Sequence, residues 1–280
     1  MGRIVFAAAM SHVLDPDYYG RNVGPHGRQA VETLMGHVAE MGRTAAARRP
    51  DALMIVADDH LNVFSFNAVP AFCVRIGTSV ERMQQKEAVA FDKLLDRLPR
   101  RYPLHEALAN RVLEEGIEDG FDLASSWEAP LDHAFLSPAT EMFPHDMPPL
   151  APIWVNCFVS PQPTARRCFA LGQHIGRVIA RSPWNVALIA TGAMSHFPEL
   201  KLSLVGTSDT PFDRKVLGWL EAGDHDSLKA LTIGELHRAG EHELLNWIVV
   251  AGAVSPARAK VRFFGELGRT NLAAVEWETA

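Results

Sequence analysis

Val5–His12 reads VFAAAMSH, and Ile189–His196 reads IATGAMSH. The shared tetrapeptide proves little in an alanine-rich chain, but its setting is informative. Each copy ends a short apolar run, and each places a histidine just beyond it. Continuous apolar runs of this length read as strands covered on both faces. Working outward, similar runs stand at Ala52–Ala57 and Ile153–Val159, so that with Ile4–Ala9 and Asn185–Ala190 four buried strands are expected. Helical patterns lie between them. Arg28–Arg48 carries apolar residues at helical spacing and stops at Arg49-Pro50. Thr78-Ser-Val-Glu81 reads as a capping box opening a helix that runs to about Leu98. His105–Glu115 reads as a helix closed by Gly116, and Thr164 as the cap of one running through Arg181. This alternation predicts an α/β, three-layer fold, a central mostly parallel or mixed sheet with helices on both faces. Val261–Phe264 and Leu272–Trp277 read as a late hairpin, which would make the sheet mixed.

Composition narrows the function. The 280 residues carry a formal net charge of −6 and no basic stripe with interleaved aromatics, which argues against a nucleic-acid partner. The longest apolar run, Trp247–Val254, is too short to cross a bilayer, and the start MGRIVFAAAM lacks a signal-peptide core. No membrane association is expected. Cys73, Cys157 and Cys168 form neither a disulfide framework nor a zinc motif, so they read as reduced core thiols of a cytoplasmic protein. No Gly/Ser/Pro-rich linker divides the chain, and residues 1–280 are expected to form a single catalytic domain. Ser125–Pro152, rich in proline, reads as a long irregular loop, of the kind that covers or builds a site.

In α/β sheets, ligands gather beyond the carboxyl ends of the strands. His12, His60 (in LMIVADDH) and His196 all stand at such exits. The fold itself would deliver them to one cavity, so the doubled AMSH needs no internal repeat. His26, His37, His105, His145, His174, His225 and His237 lack that placement and read as surface or structural residues. Two imidazoles and one carboxylate make a facial triad with open positions, the set suited to non-haem Fe(II) and O2. Asp58, Asp59, Glu241 and Glu243 are the candidate acids. Gly240–Val254 reads as a helix almost wholly apolar after its first turn, where an acid is costly unless a metal or hydrogen bonds satisfy it. Glu243 shares a stripe with Trp247 and Val250, Glu241 one with Leu244, Leu245 and Ile248; periodicity leaves both open.

Further motifs follow in order: Asp17-Tyr18 with Gly20, Asp59-His60 followed by Phe64, Asn67, Pro70 and Phe72, then Asp132-His133, Val155-Asn156 and Arg167-Cys-Phe-Ala-Leu-Gly172. Thr191-Gly192, Met194-Ser-His196, Glu243-Leu with Trp247, and Thr270-Asn271 complete the set. In this ordered set, with Met10-Ser-His12 at its head, the chain resembles the type III extradiol ring-cleavage dioxygenases, especially the catalytic beta subunit of protocatechuate 4,5-dioxygenase and its gallate-cleaving relatives.

The resemblance implies Fe(II)-dependent extradiol (meta) cleavage of a catecholic aromatic such as protocatechuate or gallate, with insertion of both atoms of O2. It implies His12, His60 and Glu243 as metal ligands, which selects Glu243 over Glu241. It implies His196 as catalytic base and acid, and His133 as a second-sphere histidine near the substrate. The two AMSH copies would then have different roles, His12 binding metal and His196 moving protons. Thr270 and Asn271, with Arg21, Arg75, Arg166 and Arg269, are candidate substrate contacts that no spacing rule ranks. In several relatives a small helical alpha subunit closes the site. The chain ends soon after Leu272–Trp277, so a lid is expected from another polypeptide or from Ser125–Pro152, and an oligomer is expected over a lone monomer. Two readings compete. A zinc hydrolase would use the same His/His/Glu set, although HExxH is absent. A non-catalytic interaction module would tend to lose one of the four central residues.

Overall fold

The structure is a computed structural model, describing residues 1–83, 98–196 and 208–279. In chain order its elements are β1 (Arg3–Met10), α1 (Pro16–Asn22), α2 (Pro25–Ala47), β2 (Ala52–Ala57), β3 (Phe72–Arg75), β4 (Ser79–Glu81), β5 (Arg101–Pro103), α3 (Glu106–Glu118), β6 (Ala124–Ser126) and α4 (His133–Met142). Then follow β7 (Leu150–Val155), α5 (Ala165–Arg181), β8 (Asn185–Thr191), α6 (Thr210–Ala222), α7 (His225–Ala230), α8 (Ile233–Ala239), α9 (Leu244–Val254), β9 (Ala259–Glu266) and β10 (Asn271–Trp277). Among the described residues, eight strands form one sheet in the order β6-β3-β7-β2-β8-β1-β10-β9, and β4 pairs with β5 separately. The central strands β7, β2, β8 and β1 are mutually parallel. β10 and β9 form the expected antiparallel hairpin, and β3 runs antiparallel to β7, so the sheet is mixed.

Side-chain alternation along the central strands builds two cores. Ala7 and Ala9 of β1, with Met54 and Val56 of β2, face α3, α5 and α9. Phe6, Ala8 and Met10, with Leu53, Ile55 and Ala57, face α2 and α4. Both faces are therefore apolar, which is why these strands read as unbroken hydrophobic runs. Helix α9 is buried on every side, from Leu244 through Gly252. It lies so close to α5 that a Cβ at Gly172 would overlap the Val249 carbonyl, and one at Gly252 the Phe169 carbonyl. That approach fixes the axis of α9, and with it the position of the acid at its start.

Several boundaries differ from the sequence reading. The third strand is Leu150–Val155 rather than Ile153–Val159. Pro152 sits inside it, and the chain turns after Val155 because the Asn156 side chain bonds both the N–H and the carbonyl of Val159. Gly116 does not close α3, which continues to Glu118; its missing Cβ makes room for Leu123. The helix placed at Gly240–Val254 begins at Leu244. Ser79–Glu81 is a strand paired with Arg101–Pro103, not the first turn of a helix. The rest of that proposed helix falls largely outside the described residues. Ser125–Pro152 is not a structureless loop: it holds α4, capped by the Asp132 carboxylate on the Ala134 N–H. Its prolines mislead, because Pro138 is accommodated inside the helix.

Candidate metal centre

Strands β2, β8 and β1 are neighbours and parallel, so their carboxyl ends lie side by side. His12 follows β1, His60 follows β2, and the turn carrying His196 follows β8. Glu243 joins them from the residue preceding α9. His12 Nε2 lies 4.0 Å, His60 Nε2 3.4 Å and His196 Nε2 3.5 Å from Glu243 Oε1. Two ligands about 2.0–2.2 Å from one ion stand roughly 3–3.5 Å apart at ordinary coordination angles. The His60–Glu243 separation has that spacing, and His12 is slightly wider. His12, Asp58, His60 and Glu243 each offer a ligand atom within 4.8 Å of the others, as do His12, His60 and His133. The donor set of two imidazoles and a carboxylate fits a divalent transition ion.

Local structure explains each placement. His60 and Leu61 both adopt left-handed backbone, φ 48° and 59°. Such residues persist where the surroundings over-determine them. Here the Asp59 carboxylate accepts the Val63 and Phe64 N–H groups at 2.9 and 2.8 Å and pins the turn. Asp58 Oδ2 stands 3.1 Å from His60 Nδ1 as an ion pair, on the opposite side of the ring from Nε2, which lies 3.4 Å from Glu243 Oε1. Asn246 holds the other Asp58 oxygen at 3.2 Å and the Thr191 carbonyl at 2.9 Å, tying α9 to the ends of β2 and β8. The Ala193 N–H donates to Glu243 Oε2, leaving Oε1 to face the histidines. This contact depends on Gly192, whose φ is 153° and whose added Cβ would lie 2.6 Å from Glu243 Cβ. Gly192→Ala is expected to displace Glu243, costing about 1–3 kcal/mol of stability and lowering metal occupancy; denaturation and metal analysis of the purified variant check both.

Burial drives His12 down to about 3, against the pull of Glu243, and His133 down to about 4, so both are neutral imidazoles. Burial also opposes charge on His60, but Asp58, Asp132 and Glu243 outweigh it and hold His60 well above its ordinary value. Burial pushes the Asp58 carboxyl up to about 8. Glu243 is fully buried too, yet the neighbouring histidines keep it below the usual carboxylate range.

The remaining sequence candidates separate. His133 opens α4 and packs against two of the candidate ligands, its ring centroid 5.2 Å from His12 and 5.0 Å from His60. Glu241 is buried beside Asp213 rather than beside His12 and His60; burial and that neighbouring acid raise its carboxyl well above the usual range. Thr270 bridges His196 through the backbone. Asn271 is buried, and its amide is engaged by Ser208, Leu267, Thr210 and Asp213, so it shapes the loop under His196. Arg75 spends its guanidinium on the carbonyls of Ile76, Ser79, Ser126 and Ala129. Arg21, Arg166 and Arg269 are exposed. Cys73, Cys157 and Cys168 are buried free thiols.

Sequence reasoning missed three neighbours of the site. His242, buried, packs its ring 5.5 Å from Phe158 and 4.9 Å from His237. Phe158 in turn lies 5.7 Å from the His60 ring. Asn246 was hidden in an apolar helix, although a lone amide among Leu, Trp, Ile and Val is itself a signal of a buried polar contact.

The 2,3-dihydroxyphenylpropionate/2,3-dihydroxicinnamic acid 1,2-dioxygenase of Photorhabdus laumondii is 31% identical over 176 residues, 62% of this chain and 50% of that protein. A corresponding enzyme of Pseudomonas putida is 32% identical over 173 residues, 60% and 51% of the two chains. Gallate dioxygenase of Pseudomonas putida KT2440 is 31% identical over 159 residues, 54% and 46%. The chain thus spans about half the length of the curated relatives it matches. The crystal structure of the uncharacterized protein JW3007 from Escherichia coli K12 aligns with TM-score 0.59 at 16% identity, covering 97% of this chain and 99% of that one, and shows a shared fold. Residues 6–274 match the family described as the catalytic LigB subunit of aromatic ring-opening dioxygenase, and the chain belongs to that family.

Proposed function

We propose that this protein opens the ring of a catecholic aromatic by extradiol cleavage with O2, using Fe(II) held by His12, His60 and Glu243. The observation that carries this reading is the convergence of three imidazole Nε2 atoms on one buried carboxylate oxygen, at 3.4–4.0 Å. A ferrous ion would supply the electron relay between a chelated diol and O2 that side chains lack. The chain's own residues do the rest. Glu243 gives the triad its anion, and His12 enters it as a neutral donor. Asp58 orients His60.

His196 is the proton carrier in this proposal. Its Nδ1 lies 2.9 Å from the Met194 carbonyl, which can only accept, so Nδ1 carries the hydrogen and Nε2 keeps its lone pair toward the centre. That nitrogen takes the second diol proton and returns it when the ring opens. His133, a neutral imidazole against His60, would donate a hydrogen bond to a substrate oxygen. A small helical alpha subunit as lid, and an oligomeric state, belong to the same proposal.

Anaerobic loading with Fe(II), then addition of O2 and a diol panel including protocatechuate, gallate and 2,3-dihydroxyphenylpropionate, tests it. Oxygen uptake matched to a yellow ring-opened product is expected. Turnover with zinc and no oxygen consumption would replace this reading with the hydrolase.

Metal loading is also expected to release protons. Burial opposes charge on His60, but Asp58, Asp132 and Glu243 raise it above its ordinary value, so an incoming ion competes with a proton for Nε2. Affinity therefore climbs with pH until His60's raised value is passed, whereas His12 and His133, already neutral, add nothing. Calorimetric titration in buffers of differing ionisation enthalpy should report net proton release on metal binding. A pH-independent affinity would contradict this.

A further inference from the structure

Beside His60 the surface opens into a cleft of about 610 Å³, lined by His60, Leu61, Phe66, Phe158, Val159 and Ser160. This is the size of a small-molecule site. Among these described residues four are apolar, one is a neutral hydroxyl, and His60 is the only titratable group. Phe66 is 82% exposed and Leu61 43%, an unusual display for large apolar side chains set on one rim. Phe158 forms the inner wall, its ring 5.7 Å from that of His60. Behind this wall lie acids rather than cations: Asp58 touches His60, and the Asp59 carboxylate is tied to the backbone of the turn beneath. Arg75 is turned inward onto four carbonyls.

We infer that this cleft receives the ring substituent of the diol, and that the substituent is uncharged and apolar, an alkyl or aryl group rather than a carboxylate. The inference rests on the proposed reading for the position of the diol, whose oxygens must face His12, His60 and Glu243. A ring held there lies beside His60, and a group projecting from it toward Phe158 enters the cleft. An alkyl or aryl group exchanges water for Phe158, Val159 and Leu61. A carboxylate would leave water with no lysine or arginine among the cleft's lining residues to pair with. Phe158 and Phe66 are thus specificity-determining residues.

Matched pairs test this: 3-ethylcatechol against 2,3-dihydroxybenzoate, and 4-ethylcatechol against 3,4-dihydroxybenzoate. Binding is measured calorimetrically to the anaerobic, Fe(II)-loaded full chain, and turnover separately. The ethyl member of at least one pair is expected to bind at least about tenfold more tightly than its carboxylate. Phe158→Ala and the exposed Phe66→Ser should each shrink that ratio several-fold. Equal or tighter carboxylate binding in both pairs would overturn the inference and move the substituent to another rim, such as that of Arg269. A ratio indifferent to both variants would overturn it as well. If the binding order holds but no diol is turned over, the cleavage reading fails while the apolar subsite stands.

Discussion

His196→Phe is expected to slow ring opening by about 10²–10⁴-fold, the usual worth of a positioned acid–base group, or roughly 3–5 kcal/mol of barrier, with the metal retained. The His196 side chain is only 14% exposed and stands 3.5 Å from Glu243 Oε1, yet Nδ1 is already committed to the Met194 carbonyl. The ring is thus aimed, with Nε2 directed at the centre. Phenylalanine keeps the ring's shape and removes both nitrogens, so packing survives and proton transfer does not. Single-turnover kinetics and metal analysis of the same preparation separate the outcomes. A variant that has lost its metal would make His196 a ligand, and one with wild-type rate would deny it any role.

Glu243→Gln is expected to abolish tight metal binding and, with it, all turnover. Removing an outer partner of a metal ligand costs about 10–100-fold in affinity, and the loss of the triad's own anion should exceed that. The amide keeps the shape of the acid and can still accept from the Ala193 N–H, so the turn after β8 is preserved. What disappears is the charge that faces three imidazoles. A paired Glu241→Gln variant serves as control: Glu241 is buried beside Asp213, away from His12 and His60, and its replacement should leave metal stoichiometry intact. Metal content by mass spectrometry after anaerobic loading distinguishes the two, and equal loss in both variants would refute the assignment.

The central strands were legible because burial on both faces turns β1, β2 and β8 into unbroken apolar runs, and their exits located the three histidines. The choice between Glu241 and Glu243 was not legible from periodicity, for a physical reason. Helix α9 is buried on all sides, so no stripe distinguishes one face from another. The three-dimensional contacts distinguish the two acids: the histidines face Glu243, and the Gly192 turn lets the Ala193 N–H reach it, a contact joining residues 50 positions apart. Proline misled twice. Pro152 hid the start of β7, and Pro138 with its neighbours hid α4, the helix that carries His133. The short strands β3 and β6 escaped notice because they take their register from β7 and each other, not from a pattern of their own.

In the proposed reading, everything functional depends on one ion sitting among His12, His60 and Glu243. Anomalous diffraction from crystals loaded anaerobically with Fe(II), recorded on both sides of the iron edge, locates that ion directly. A single peak in contact with His12 Nε2, His60 Nε2 and Glu243 Oε1, with His196 unligated, is the expected map. A peak held elsewhere, or one that takes His196 or His133 in place of Glu243, would contradict it.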